Sequence, residues 1–161
     1  MRKFILVIAW LALSACAQEP LDFVFFDTAE KRQYHSTSLR EDFDLYSPGL
    51  NINPFLILME GPNMDDSLLQ EQLAVLDRAE HGTAEKLGLV YVVSSFSGGY
   101  AQGYHVSMLE AQRLAEKLKG FRVRVLSPKG FVLKQSDSVL SVATIKQLID
   151  DHAPRIPNNA L

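Results

Sequence analysis

Apolar and polar positions follow strand-like and helix-like spacings along most of the chain after residue 53. Two continuous apolar runs, 55–59 and 89–93, predict strands that are buried on both faces. Apolar and basic residues alternate over 121–125, which predicts a strand with one buried face and one face in water. The turn residues at 127–130 then predict a hairpin with a returning strand.

Three segments with apolar residues at helical spacing predict helices between or after these strands. The first begins at Asp65 or Ser67, and Ser67 with Gln70 forms a capping-box pattern. Asp65 and Asp66 are also predicted to be helix caps. Ser107 and Ser141 begin the second and third helices. A helical crossover joins the first two strands, so we expect them to run parallel. The prediction is an α/β domain with a mixed four-stranded sheet flanked by helices, in the order β-α-β-α-β-β-α.

The first 15 residues have the order of a secretory signal peptide. Arg2 and Lys3 precede the apolar run Phe4–Leu13, and small residues follow it. This run is shorter than the roughly 20 apolar residues of a membrane-spanning helix. A buried core helix is the alternative, but the two cations and the cleavage-like site favour export.

Two cleavage sites compete at the end of this segment. Leu13–Cys16 reads Leu-Ser-Ala-Cys and resembles the lipobox of bacterial lipoproteins, in which the cysteine is lipidated. Ala15–Ala17 also fits ordinary signal cleavage, which would leave Gln18 first. We favour lipidation of Cys16, because it is the only cysteine in the chain and lies where that signature requires it. The chain is then held by lipid in the periplasm or cell envelope, whereas ordinary cleavage would leave it soluble and secreted or periplasmic.

Four segments are expected, namely a signal peptide over 1–15, a tether and lead-in over 16–52, a folded domain over 53–154, and a tail over 155–161. Within the lead-in, Asp22–Asp27 predicts a short strand. Removal of the signal, which holds Arg2 and Lys3, leaves 14 basic and 19 acidic residues and a formal charge of −5. This acidic balance disfavours nucleic acid as a partner, because nucleic-acid-binding domains carry basic patches. Membrane attachment would come from an N-terminal lipid rather than from a transmembrane helix.

Processing also decides the thiol chemistry of the folded part. Lipidation would block the Cys16 thiol, and ordinary cleavage would discard the residue. In both cases the mature domain has no cysteine pair for a disulfide and no thiolate for thiol–disulfide exchange.

The order of predicted elements resembles the thioredoxin fold over residues 53–154. More narrowly, the chain looks like the bacterial thioredoxin-like family called domain of unknown function 4174. The segments behind this likeness are Pro54–Met59, Leu69 with Gln72 and Leu76, Ser127–Gly130, and Ile149–Arg155. The resemblance implies relatives that include extracellular domains, and a peroxiredoxin-like chemistry suggested for some of them from the fold.

The chain departs from the redox pattern of that fold at two positions. Active thioredoxins carry Cys-x-x-Cys after the first strand, where this chain has Gly-Pro-Asn-Met at Gly61–Met64. They also place a cis-proline before the first strand of the hairpin, where this chain has Lys119–Phe121. We therefore predict that the domain is not a dithiol oxidoreductase, and we assign no catalytic residue.

A glycine-rich loop over 94–105 is the best candidate for a binding surface. It leaves the carboxyl end of the second strand, where open α/β sheets gather ligands. Its glycines allow a close backbone approach, and its tyrosines offer rings and hydroxyls. The alternative is a long surface loop without a ligand. The predicted contact residues are Asn63, Met64, Ser95, Tyr100, Tyr104 and His105.

Other chemistries find less support in the sequence. The four histidines lack the spacing of metal ligands, so no metal and no cofactor is predicted. Ser94, Ser95 and His105 supply two parts of a hydrolytic triad, but no Gly-x-Ser-x-Gly elbow is present. The glycines at 98–103 lack the Gly-Lys-Ser/Thr ending of a phosphate loop.

Two functions remain. The first is a non-catalytic binding or scaffolding module of the bacterial cell envelope, whose partner is an envelope protein or a small ligand. The alternative is a divergent peroxiredoxin-like oxidoreductase or a hydrolase of unknown substrate.

Overall fold

The computed structural model describes residues 18–48, 54–80, 89–96, 103–116 and 118–153. The strands among them are β1 (Val24–Asp27), β2 (Gln33–His35), β3 (Phe55–Gly61), β4 (Leu89–Ser95), β5 (Tyr104–His105), β6 (Arg122–Leu126) and β7 (Val132–Ser136). The helices are α1 (Leu39–Tyr46), α2 (Ser67–Glu80), α3 (Met108–Leu114) and α4 (Val142–His152). The predicted signal peptide, Cys16, Tyr100 and the predicted tail lie outside the described residues.

The described strands form one sheet in the order β2-β1-β5-β4-β3-β6-β7. β3 and β4 are parallel, with Phe55 beside Leu89 and Gly61 beside Ser95. β6 is antiparallel to β3, and β7 is antiparallel to β6. The predicted parallel pair and hairpin are therefore present, and the fold class is the predicted mixed α/β class.

The sheet is wider than the four strands predicted within 53–154, because β5, β1 and β2 extend it beyond β4. β1 confirms the short strand predicted over Asp22–Asp27. Residues 18–48, which belong to the predicted tether and lead-in, carry β1, β2 and α1. Phe23 and Phe25 are buried there, and Phe25 stacks on Tyr34 with 5.4 Å between ring centroids. Large aromatic side chains supply enough buried surface to hold such short strands in the domain.

Main-chain contacts also tie this segment to the hairpin between β6 and β7. The Leu21 N–H donates to the Gly130 carbonyl at 2.9 Å. The Ser36 hydroxyl donates to the Leu21 carbonyl and accepts from the Phe23 N–H. Gly130 has φ +81°, and a Cβ there would lie 2.9 Å from Thr37 Cγ2, so this close approach requires glycine.

Apolar side chains divide between two cores, one on each face of the sheet. On β3, Leu56 and Leu58 enter one core, and Ile57 and Met59 enter the other. The first core also contains residues of β1, β2, α1 and α3, among them Phe23, Phe25, Tyr34, Leu39, Phe43, Ala111 and Leu114. The second contains residues of α2 and α4, among them Leu69, Leu73, Leu76, Ile145 and Ile149.

Side-chain caps define where the helices begin. Ser107 accepts from the Glu110 N–H, and Ser141 accepts from the Thr144 N–H, so both predicted caps are confirmed. At α2, however, the cap is Asp66, whose Oδ1 accepts from the N–H groups of the second and third helical residues at 3.1 and 3.0 Å. The predicted cap Asp66 is thus confirmed, and the N–H groups that the predicted capping box of Ser67 would serve are bound by Asp66.

Candidate functional site

Four strands place their ends at one border of the sheet, which we call the site edge. β3 and β4 both end there, at Gly61 and Ser95. Because β6 is antiparallel to β3, it begins there at Arg122, and β7 ends there at Ser136. The helix α2 begins immediately after β3, so its first turn belongs to the same edge.

The segment Gly61–Met64 leads into a main-chain turn over 63–66 at the site edge. The Asp66 N–H donates to the Asn63 carbonyl at 3.3 Å, and Gln70 Nε2 donates to the Met64 carbonyl at 2.6 Å. A Cβ on Gly61 would lie 3.1 Å from Leu69 Cδ2, so β3 approaches α2 closely. Asn63 is exposed and Met64 is half-buried against the α2 core.

A buried ion cluster lies directly beneath this turn. Glu60 is fully buried at the end of β3, and its carboxylate accepts two hydrogen bonds from Arg122, at 2.8 and 2.7 Å. Arg124 donates two more at the same distances. Arg122 Nη2 also donates to the Leu114 carbonyl at the end of α3. The cluster therefore joins β3, β6 and α3.

This cluster corrects the prediction of a solvent-facing side for 121–125. The alternation itself is right, since Val123 and Val125 are fully buried in the α2 core. The arginine face is also covered, so that only 7% of Arg124 is exposed. The reason is that β6 lies between β3 and β7 with α3 over this face, and Glu60 supplies the counter-charge that lets a guanidinium stay inside.

The two arginines are held by the same carboxylate but in different surroundings. Hydrogen bonding to Glu60 raises the pKa of Arg122. Burial lowers the pKa of Arg124, because loss of water outweighs the attraction of Glu60 there. Both guanidiniums remain charged at neutral pH. One carboxylate thus faces two cations, and the cluster carries one excess positive charge.

A cleft of about 620 Å³ opens beside the cluster. One wall is the loop that leads into β6, where thioredoxins have their cis-proline, and no peptide bond among the described residues is cis. Another wall is the end of β7. Lys119, Arg122 and Asp137 bring charge to the cleft, and Leu68 and Phe121 bring apolar surface. The remaining lining residues are Leu118, Gly120, Gln135 and Ser136.

The predicted contact residues fall in different places. Asn63, Met64 and Ser95 lie at the site edge, where Ser95 is buried at the end of β4. Tyr104 instead packs into the first core, 5.6 Å from the Phe25 ring centroid and 5.3 Å from that of Tyr34. Burial raises the pKa of Tyr104, as does the charge of its neighbour Tyr34. Tyr104 is therefore partly buried against the first core.

His105 does not form the triad weighed in the sequence analysis. Its Nδ1 lies 3.1 Å from Thr28 Oγ1, which occupies the ring nitrogen that a triad directs to a carboxylate. Ser94 is buried at 2% exposure. Within the described residues, no three His, Cys, Asp or Glu side chains are placed to hold a metal ion.

The cleft residues were missed because they are distant in sequence. Lys119 and Arg122 precede and begin β6, whereas Gln135 and Asp137 follow from β7. A usable signal was the position of Glu60, a charged residue directly after five apolar residues of a buried strand. Such a carboxylate needs a cationic partner inside the domain.

In the part of the chain that the structure describes, no helix is long and apolar enough to span a membrane.

The fold is thioredoxin-like, as solved structures show. The pneumococcal exposed lipoprotein thioredoxin from Streptococcus pneumoniae is 12% identical, with a TM-score of 0.51, over 81% of this chain and 99% of that one. ScoI from Arabidopsis thaliana, solved with copper bound, is 13% identical, with a TM-score of 0.52, over 82% and 96%. The thioredoxin domain of a thiol-disulfide oxidoreductase from Bacteroides vulgatus is 8% identical, with a TM-score of 0.52, over 83% and 95%.

At these identities the likeness establishes the fold and nothing finer. No protein-family model matches the chain, and no curated protein matches it. Membership in the domain of unknown function 4174 family therefore stays a prediction.

Proposed function

We propose that this chain is an exported, non-catalytic binding or scaffolding module of the bacterial cell envelope, anchored by lipid on Cys16. The observation that carries the proposal is the site edge itself. Gly61–Met64 stands where dithiol enzymes of this fold carry their cysteines, and it lies on a border of the sheet that also has a ligand-sized cleft.

The chemistry of this edge supports binding over redox catalysis. Cys16 is the only cysteine of the chain and precedes the described residues, so the site edge has no thiol. Thiol–disulfide exchange requires an attacking thiolate. The turn over 63–66 is instead held by the hydrogen bond from the Asp66 N–H to the Asn63 carbonyl, and the Asp66 side chain caps α2 directly after it. The cleft has a volume within the roughly 300–1,000 Å³ of ligand sites.

The route of the N-terminal segment suits a short membrane anchor. Gln18 Nε2 donates to the Val132 carbonyl at the start of β7, and Leu21 is bound to Gly130. The cleft lies at the other end of β7, beside Ser136. Cys16 is two residues before Gln18, a span of at most about 7 Å. A lipid there would hold the domain at the membrane with the cleft facing away from it.

Site-specific photo-crosslinking in intact envelopes tests the binding function. A photoreactive residue replaces Leu68, which lines the cleft and is 37% exposed, and in a matched control it replaces Leu45, which is 70% exposed on α1. The proposal predicts a discrete adduct from position 68 that is weak or absent from position 45. The adduct partner, identified by mass spectrometry and purified, should bind the untagged protein again.

Equal adduct patterns from both positions would count against a binding function for the cleft. Intact mass spectrometry of the processed protein tests the anchor separately. A diacylglyceryl adduct on Cys16 supports it, and a chain that begins at Gln18 contradicts it.

A further inference from the structure

We infer that the cleft at the site edge binds a carboxylate group of a peptide, with Arg122 and Lys119 as the cations that receive it. This inference deepens the proposed binding function and rests on it. The peptide carboxylate is either a C-terminus or an acidic side chain, and both present the same planar pair of oxygens.

The hydrogen bonds of Arg122 leave one donor group available. Its Nε and Nη2 atoms donate to Glu60, and Nη2 also donates to Leu114. Among the described residues, none accepts from Arg122 Nη1. No described side-chain nitrogen that is sealed from solvent lacks a partner, so Nη1 reaches the surface. Arg122 is one of the residues that line the cleft, so its solvent-facing N–H group lies at the same edge of the sheet as the cleft.

The charge of the cleft lining and of the ion cluster beside it favours one negative charge on the ligand. The buried cluster of Glu60, Arg122 and Arg124 carries one excess positive charge. Lys119 adds a second positive charge at the cleft, and Asp137 subtracts one. Among the charged residues that line the cleft, the two cations Lys119 and Arg122 outnumber the one anion Asp137, although the whole chain has a formal charge of −3. The Asp66 carboxylate, which caps α2 next to Leu68, is not one of the lining residues. A local positive centre on an acidic protein attracts anions selectively.

A carboxylate suits this centre better than a phosphate does. A carboxylate carries one charge, which matches the excess, and a guanidinium N–H with a neighbouring ammonium can bind its two oxygens. A dianionic phosphate would bring a second negative charge to a cleft whose lining already includes Asp137. Like charges at such sites oppose binding.

The rest of the cleft points to a peptide as the carrier of the carboxylate. Leu68 and Phe121 form an apolar wall that can receive a side chain. Gln135 and Ser136 place polar groups at the end of β7, which is the last strand of the described sheet. An extended peptide can present an apolar side chain, amide groups and a carboxylate to these lining residues.

Glu60 and Arg124 act as positioning residues in this arrangement. Their hydrogen bonds fix the Arg122 guanidinium in one orientation, so that a ligand does not have to order it. Preorganisation of this kind lowers the entropic cost of binding.

Calorimetric titration of the full processed protein, purified in a non-ionic detergent, tests the inference. The probes are acetyl-Ala-Leu with a free carboxylate and the same dipeptide with a C-terminal amide. We expect the free acid to bind at least about tenfold more tightly than the amide. This is the gain in affinity that a charge-assisted hydrogen bond usually provides. Added salt should weaken binding, because Lys119 is exposed. An acetylated peptide amide with one internal Asp distinguishes an acidic side chain from a C-terminus.

Matched charge changes separate the cleft from the surface at large. Lys119→Gln should weaken binding of the acid about tenfold, and Arg122→Lys should do the same if it folds. Lys129→Gln removes an exposed lysine of the β6–β7 hairpin, at the far end of these strands, and should leave binding unchanged.

Several results would overturn the inference. These are equal affinities for acid and amide, equal effects of Lys119→Gln and Lys129→Gln, tighter binding of inorganic phosphate than of every peptide, or no binding at about 5 mM peptide. A specific crosslink from position 68 alongside any of these results would keep the binding function while removing the carboxylate ligand. Absence of both would remove the two proposals together.

Discussion

The carboxylate of Glu60 accepts two hydrogen bonds from Arg124, at 2.8 and 2.7 Å, in the interior of the sheet. Glu60 is fully buried, and Arg124 is 7% exposed. The two residues lie on neighbouring strands, since Glu60 pairs with Arg122 in the β3–β6 ladder. The side-chain hydrogen bonds of the ion cluster therefore add to the main-chain hydrogen bonds between β3 and β6, beside the cleft.

Removal of the buried Glu60 carboxylate should lower the stability of the domain strongly. Glu60→Gln leaves two guanidiniums in the interior without their counter-charge, and we expect it to lower the free energy of unfolding by about 3 kcal/mol or more. The control is Glu110→Gln, which breaks the ion pair with Arg113, whose side chain is about half exposed. That change should cost less than about 1 kcal/mol. Urea denaturation measures both, and similar losses would show that the Glu60 cluster is not the structural centre described above.

The residues before β3 should stabilise the same domain as the rest of the chain. Phe25 is fully buried and contacts the rings of Phe23, Tyr34 and Tyr104. We expect Phe25→Ala to lower the free energy of unfolding by about 3–5 kcal/mol. Leu45→Ala, at a position that is 70% exposed, should stay within about 0.5 kcal/mol of the wild type. Thermal or urea unfolding with a single transition checks this, and a neutral Phe25→Ala would mean that the segment is only a tether.

The first turn of α2 should depend on Asp66 and not on Ser67. Asp66→Ala removes the acceptor of two helical N–H groups, and the expected loss of stability is about 1 kcal/mol. Ser67→Ala should cost clearly less, because Asp66 already supplies the cap. Equilibrium unfolding of the two variants decides between the caps, and a larger loss in Ser67→Ala would favour the capping box that the sequence pattern predicts.

Stability should fall at alkaline pH because of the buried phenols. Burial raises the folded-state pKa of Tyr104 and of Tyr34 above the ordinary value of about 10. The folded state therefore keeps these phenols protonated while the unfolded state loses their protons. The contribution of these two phenols to the free energy of unfolding is complete below about pH 10. It is lost as the pH rises towards their raised folded-state pKa.

Tyr104→Phe should flatten this alkaline slope, because it removes the more strongly shifted phenol. Urea denaturation from pH 8 to pH 11, in wild type and variant, measures the slope. Parallel slopes in the two proteins would show that Tyr104 is not a source of the alkaline loss.

Much of the fold could be predicted because its signals are local. The apolar runs of β3 and β4 mark strands covered on both faces, and the caps Ser107 and Ser141 mark helix starts. β5 has only two residues and β2 only three, so neither has a sequence period of its own. Such strands exist because neighbouring strands and aromatic side chains hold them.

The site was less accessible to sequence reasoning. The position of Asn63 and Met64 at a sheet edge follows from strand order alone. The burial of Arg124 depends on what covers the second face of β6. The alternation of apolar and basic residues along β6 cannot show that another element packs over this face. The same limit applies to Tyr104, whose place in the first core depends on aromatic residues 60 or more positions earlier in the chain.

Disulfide and peroxide reduction by the processed full-length protein tests the central claim most directly. Insulin and hydrogen peroxide are the substrates, and the Cys16→Ser variant is measured beside the wild type. A thioredoxin-like domain without a thiol at its site edge predicts no turnover above the rate without protein, in either form. Turnover that scales with protein concentration and persists in Cys16→Ser would contradict this account.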